Sequence, residues 1–118
     1  MREGLVADES VFANRLRKLD SNMHEADFEW DAAKEAVNVV KHGVTFSTAQ
    51  RAFADARRVL AEDLAHSGKE KRYYCFGVVD GGVLTVRFTI RADKYRIIGA
   101  GYWRKGRKLY EKGNQVHE

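Results

Sequence analysis

Proline is wholly absent from the 118 residues, so turns must be made by Gly, Asp and Asn. Cysteine occurs once, at Cys75, which excludes an internal disulfide and a Cys-rich zinc site and fits a reducing compartment. Cys75 falls in an apolar, strand-like run, where a packed small hydrophobe is the leading reading over a nucleophile. No apolar run approaches the roughly 20 residues of a membrane span, and the N-terminus lacks the apolar core of a secretory signal. The expectation is a soluble, cytoplasmic protein without membrane contact. The four His, at 24, 42, 66 and 117, lack HxxxH spacing, and the Gly-Ala-Gly at 99–101 lacks a GxGxxG frame. Neither a metal site nor a nucleotide cofactor is therefore expected.

What is present is positive charge, unevenly spread. Between Arg87 and Lys112 there are nine Lys or Arg against Asp93 and Glu111, a local balance of +7, whereas the whole chain is +4 and the remainder −3. Phe88, Tyr95, Tyr102, Trp103 and Tyr110 interleave with these cations. That combination suits a surface that meets phosphate and stacks bases, and it also suits an acidic protein partner.

In chain order, residues 1–26 read as an appendage with one short helix, in which Phe12, Leu16 and Leu19 recur behind Asp8 or Ser10 as N-cap. Residues 27–113 read as one α+β domain and 114–118 as a tail. Asp31 stands as N-cap of a helix that buries Ala33, Ala36, Val37 and Val40 and ends at His42-Gly43. Ser47 and Gln50 form a capping box for a second helix with Ala49, Ala52, Phe53 and Ala56 inward. An edge strand over 58–63 follows, then a polar loop and a strand over 71–80 that meets the hairpin signal Asp80-Gly81-Gly82. The next strand alternates cleanly, with Leu84, Val86, Phe88 and Ile90 on a core face and Thr85, Arg87, Thr89 and Arg91 opposite. Tyr95–Ala100 makes a further strand, and Trp103–Lys112 a helix weakened by Gly106 at about 1 kcal/mol. The architecture expected is two N-terminal helices on an antiparallel meander of about four strands, with a short C-terminal helix.

FEWD at 28–31, KHGVTF at 41–46, Phe53–Asp55, His66-Ser67 followed by Glu70 and Arg72, Thr89 with Arg91, RIIGA at 96–100 and RKLYE at 107–111 stand in a characteristic order. As a set they resemble the BrnT family of toxins, from about Phe28 to Glu111. The resemblance implies a small RelE-like ribonuclease of a bacterial type II toxin–antitoxin system, paired with a BrnA-type antitoxin. It also implies RNA as substrate, operator DNA reached only through the antitoxin, and a toxin–antitoxin heterotetramer. One departure is clear: many relatives carry Ser-Ala-Arg before a basic helix where this chain has Gly99-Ala100-Gly101-Tyr102-Trp103.

Metal-independent RNA cleavage needs a base for the 2′-OH, permanent cations on the phosphorane and an acid for the leaving oxygen. His66 is the first choice for proton transfer because its ordinary pKa suits either direction. Glu70 orients His66, acts as base itself or makes a cross-strand ion pair, and His42, Tyr102 and Tyr110 are the further acid–base candidates. Arg72 and Arg91 are the candidate catalytic cations, because the Arg fork grips phosphate and stays protonated, and the resemblance makes Arg91 the first choice for the scissile phosphate. Arg87 lies on the same strand face as Arg91, roughly 13 Å away at ~3.3 Å per residue, so both can track one backbone. RNA-binding candidates are Lys41, His42, Arg87, Arg96, Tyr102, Arg104, Lys105 and Arg107. Each has a structural alternative: Lys41 and His42 complement a helix dipole, and the C-terminal cations serve as solvated surface. Three functions follow: a translation-blocking endoribonuclease, a non-catalytic RNA or antitoxin binder acting as corepressor, and a docking domain for acidic proteins.

Overall fold

The computed structural model describes residues 5–6 and 28–115; the helix expected around Phe12–Leu19 lies outside them. The elements in order are β1 (Leu5–Val6), β2 (Phe28–Trp30), α1 (Ala32–His42), α2 (Phe46–Ala49) running into a 3-10 turn (Gln50–Ala54), β3 (Val59–Asp63), a 3-10 turn (Leu64–His66), β4 (Tyr73–Val79), β5 (Gly82–Arg91), β6 (Lys94–Gly101) and α3 (Arg104–Gly113). The α+β class is as expected, but the sheet is not a four-stranded antiparallel meander. Strands β3-β4-β5-β6-β2 form a mixed sheet, with β1 added beyond β3. The mixture arises because Phe28–Trp30 runs parallel to Tyr95–Ile97 at the far edge.

The local chemistry of α1 matches the sequence at both ends. Asp31 accepts from the N–H of Ala33 at 2.8 Å and of Lys34 at 3.1 Å, and Gly43 closes the helix at φ 70°, its N–H on the Val39 carbonyl. The buried face is different from the one expected. Val37 and Val40 are 53% and 86% exposed, Ala33 and Ala36 are exposed too, and the helix is buried through Asn38. The Asn38 amide donates to the carbonyls of Val44 and Ala100, both at 2.9 Å, and accepts from the Ala100 N–H at 3.1 Å. The reason is the shortness of β2, whose pairing stops at Trp30 opposite Ile97. The outward backbone groups of Ala100 would be orphaned there, and a buried asparagine satisfies both.

The second helix also differs from expectation. Its N-cap is Thr45, which accepts from the Thr48 N–H at 3.1 Å, and after one α-turn it tightens to 3-10 geometry. Phe46, Ala49, Ala52 and Phe53 are buried as expected, whereas Ala56 is exposed. Gly77 lets this segment lie on the sheet, because a Cβ there would overlap the Ala52 carbonyl. The core beneath it is aromatic: Phe53 stacks on Tyr95 at 4.9 Å and meets Phe88 and Phe28 edge-on at 5.0 and 5.1 Å. Such pairs are each worth about 0.5–1.5 kcal/mol beyond their burial.

The β4–β5 turn uses Asp80 at φ 54° and Gly81 at φ 84°, and the β5–β6 turn uses Ala92 at φ 49° and Asp93 at φ 65°. Both are two-residue hairpins of the kind that matches strand twist. Leu84, Val86 and Phe88 are buried on the core face. On the opposite face Thr85 is buried beneath α3, and Thr89 is buried with its hydroxyl donating to the Lys71 carbonyl at 2.6 Å. Gly106 is what permits this covering: a Cβ there would run into Thr85 and Phe76. Glycine at 106 thus trades helix propensity for close approach.

Candidate active site

The face of the sheet opposite the aromatic core is roofed at one side by α3 and at the other by α1, and the strand register decides what faces upward. Ala61, Tyr74, Arg87 and Gly99 form one row across β3 to β6. The register then slips: Arg87 pairs with Gly99 but Phe88 with Ile97, leaving Ile98 as a bulge beside Arg87. Between β3 and β4, Ser67 ties the loop shut. Its hydroxyl donates to the Asp63 carbonyl at 2.7 Å and accepts from the Arg72 N–H at 2.8 Å.

That loop presents His66 to Asp63. Nδ1 of His66 lies 2.8 Å from Asp63 Oδ2, with the histidine side chain 60% exposed and the aspartate side chain 6% exposed. The strand end fixes the carboxylate, and the single 3-10 turn brings the imidazole back over it. With Nδ1 donating to Asp63, Nε2 is left as the acceptor. The pair opens onto a cleft of about 420 Å³ lined also by Tyr74, Arg87, Trp103 and Lys105. The Tyr74 phenol is held above its ordinary pKa, first by burial and then by the charge of Asp63, so it remains protonated through the neutral range. Nε of Arg87 and Nε of Arg72 are both buried with no hydrogen-bond partner, and the Arg72 charge adds to that of Arg91 in lowering the Glu70 pKa.

A second cleft, about 540 Å³, lies between α1 and the sheet and is lined by Lys34, Lys41, His42, Arg72, Arg87 and Trp103. The Trp103 ring meets His42 edge-on at 5.0 Å and leaves no room for a Cβ at Gly101. Trp103 and Arg87 line both clefts.

The other residues expected from sequence are placed as follows. Arg91 is held by Glu70, at 2.6 Å from Nε and 3.2 Å from Nη2, and that hydrogen bond lowers the Glu70 pKa. Glu70 thus partners Arg91 and not His66. Arg96 pairs with Glu29 at 3.2 Å. The Tyr110 hydroxyl donates to Asp55 at 2.7 Å; Asp55 precedes β3 while His66 follows it, so the two lie at opposite ends of that strand. The Tyr102 hydroxyl donates to the Val79 carbonyl at 3.0 Å. Arg104 and Arg107 are exposed on α3 and line neither cleft. Among the described residues no group of three or more His, Cys, Asp or Glu is placed to hold a metal ion, and no helix is long and apolar enough to cross a membrane.

Asp63 and Tyr74 were not among the residues expected, and Trp103 only as one of the aromatics interleaved with the cations. The spacing Asp63-x-x-His66 is the signal that points to the first, since one tight turn brings i and i+3 together.

With this geometry in view, comparison with known families is decisive. Residues 30–106 match the family described as ribonuclease toxin, BrnT, of type II toxin-antitoxin system. The chain belongs to the BrnT family. No curated protein matches the chain. The BrnT match runs from Trp30 to Gly106, so it takes in α1, the Asp63–His66 pair, Arg72 just before β4, Arg87 on β5, and Trp103. Membership implies an antitoxin partner and an RNA substrate.

Proposed function

We propose that this BrnT toxin is a metal-independent endoribonuclease that cuts RNA by transphosphorylation in the cleft of His66. The observation that carries the reading is the 2.8 Å contact of His66 Nδ1 with the buried carboxylate of Asp63, which aims the opposite ring nitrogen at a cleft holding Arg87 and Lys105. His66 Nε2 takes the proton of a ribose 2′-OH. The 2′ oxygen bonds to phosphorus, the P–O5′ bond breaks, and a 2′,3′-cyclic phosphate and a 5′-hydroxyl result. Arg87 and Lys105 bear the extra negative charge of the phosphorane. Tyr74, protonated and in the same cleft, supplies the proton to O5′. Arg72 adds a third cation to the field, while Glu70, Arg91, Glu29 and Arg96 act as positioning ion pairs, and Tyr110 acts through Asp55.

In the cell this activity blocks translation from the cytoplasm. Its partner is a BrnA-like antitoxin in a toxin–antitoxin heterotetramer that touches operator DNA through the antitoxin alone. The test is cleavage of RNA by the purified chain, freed of any antitoxin, in the presence of EDTA. Cleavage leaving 2′,3′-cyclic phosphate ends, reduced by about 10²–10⁴-fold in His66→Ala, is the expected result; intact RNA with wild-type protein sinks the reading.

A second reading is a non-catalytic binder acting as corepressor. It is favoured by the neutralisation of Arg91 and Arg96 by Glu70 and Glu29. Growth arrest by His66→Ala equal to that by the native chain would select it.

A further inference from the structure

We propose that the second cleft, between α1 and the bulged end of the sheet, is a subsite for the nucleotide next to the scissile phosphate, with Trp103 as the platform between the two positions. This rests on the reading of the first cleft as the place of cleavage. Five basic side chains line the second cleft: Lys34, Lys41, His42, Arg72 and Arg87. Carboxylates have claimed the other strand-borne arginines, Arg91 and Arg96. Arg72 and Arg87, by contrast, keep buried Nε groups with no partner among the described residues. A buried cationic donor without an acceptor is costly unless an anion arrives to take it. The two clefts adjoin, since Arg87 borders both, so one strand can run from one into the other.

The junction also carries the means to hold a base. Trp103 is 37% exposed, borders both clefts, and is braced by Gly101 on one side and by the edge of His42 on the other. Indole surfaces stack any base with little regard to sequence. Ile98, thrown outward by the bulge, and Val37 of α1 give the cleft apolar walls suited to a base or sugar. Duplex RNA keeps its bases stacked inside the helix, so a platform of this kind selects single strands. The ligand class is therefore a single-stranded oligoribonucleotide that spans both clefts, and the cations of α1 set affinity without taking part in bond breaking.

The experiment measures fluorescence anisotropy of a 5′-fluorescein hexaribonucleotide bearing 2′-O-methyl groups, which cannot be cleaved, across a series of KCl concentrations. Lys34→Ala/Lys41→Ala, both on the exposed surface of α1, should weaken binding at least about tenfold near 0.1 M KCl and lower the salt slope by about 0.7 for each phosphate left without its cation. Trp103→Leu should weaken binding about tenfold with the slope unchanged. A hairpin duplex of the same length should bind less tightly than the hexamer. Unchanged affinity and slope in the double lysine variant overturn the subsite. If the hexamer binds as described and wild-type protein still leaves RNA intact, the second cleft stands as a single-strand binding site, and the catalytic reading of His66 falls together with the place beside a scissile phosphate. If wild-type protein cleaves RNA with a KM that the lysine changes do not move, the catalytic reading stands and the subsite falls.

Discussion

The indole of Trp103 occupies the space that a side chain at residue 101 would need: a Cβ on Gly101 would lie 2.6 Å from Cε2 of that ring. Gly101 and Trp103 are thus sterically coupled, since the ring at 103 fits only where residue 101 has no side chain. Gly101→Ala should destabilise the fold by about 1–3 kcal/mol through overpacking. In a Trp103→Ala background the same change should cost far less, since the obstructing ring is gone. Urea unfolding of the four proteins of the cycle measures this; additive losses would show that the two residues are not coupled.

Asp63 and His66 should behave as one unit in cleavage. Asp63→Asn keeps the shape but removes the charge that orients the imidazole, so kcat should fall by roughly 10²-fold or more. Added to His66→Ala, it should cause little further loss. An additive effect in single-turnover assays would separate the two residues functionally.

The pair of Tyr110 and Asp55 sets limits on stability at both ends of the pH scale. Burial pushes the Asp55 pKa up, but the N–H groups of Val78 and Arg57 and the Tyr110 hydroxyl outweigh it, and the net shift is downward. A carboxyl whose folded pKa is depressed stabilises above its unfolded value, and that contribution is lost as pH falls through the folded pKa. Tyr110 is shifted up, first by burial and then by its bond to Asp55, so its contribution is lost as pH rises through its folded pKa, above the ordinary tyrosine value of about 10. Tyr110→Phe should cost about 1 kcal/mol at neutral pH and flatten the alkaline fall in Tm. Asp55→Asn should flatten the acid one. Thermal unfolding followed from acid to alkaline pH checks both.

Ala92 is held at φ 49° in the turn between β5 and β6, a conformation for which a Cβ is penalised. Replacing it with glycine should raise stability by about 0.5–1 kcal/mol, because the relief of strain exceeds the added freedom of the unfolded chain. A lowered urea midpoint for Ala92→Gly would contradict this.

The features legible in the sequence were those fixed by local backbone chemistry. Asp31 and Gly43 bracket α1 because caps act within one turn, and Asp80-Gly81 makes its hairpin because both residues accept positive φ. The alternation of β5 located Arg87 correctly because period two leaves no freedom once one face is core. What was not legible depended on a surface elsewhere. The valines of α1 have the right period for burial, but periodicity does not say whether anything faces them, and Asn38 answers to a backbone gap 62 residues away. For the same reason residue pattern alone could not rank the arginines. The resemblance put Arg91 first for the scissile phosphate, and only the fold shows that Glu70 pairs with Arg91 while Arg72 faces a cleft.

The parallel pairing of Phe28 with Tyr95 means that β2 and α1 have nothing to close against until β6 has been made. Loop closure of that length is slow compared with hairpin formation, so β4, β5 and β6 should assemble first and α1 dock last. Lys41 and His42 reach the rim of the site only with that final step. During synthesis, the cleft between α1 and the sheet therefore cannot be completed until β6 has left the ribosome.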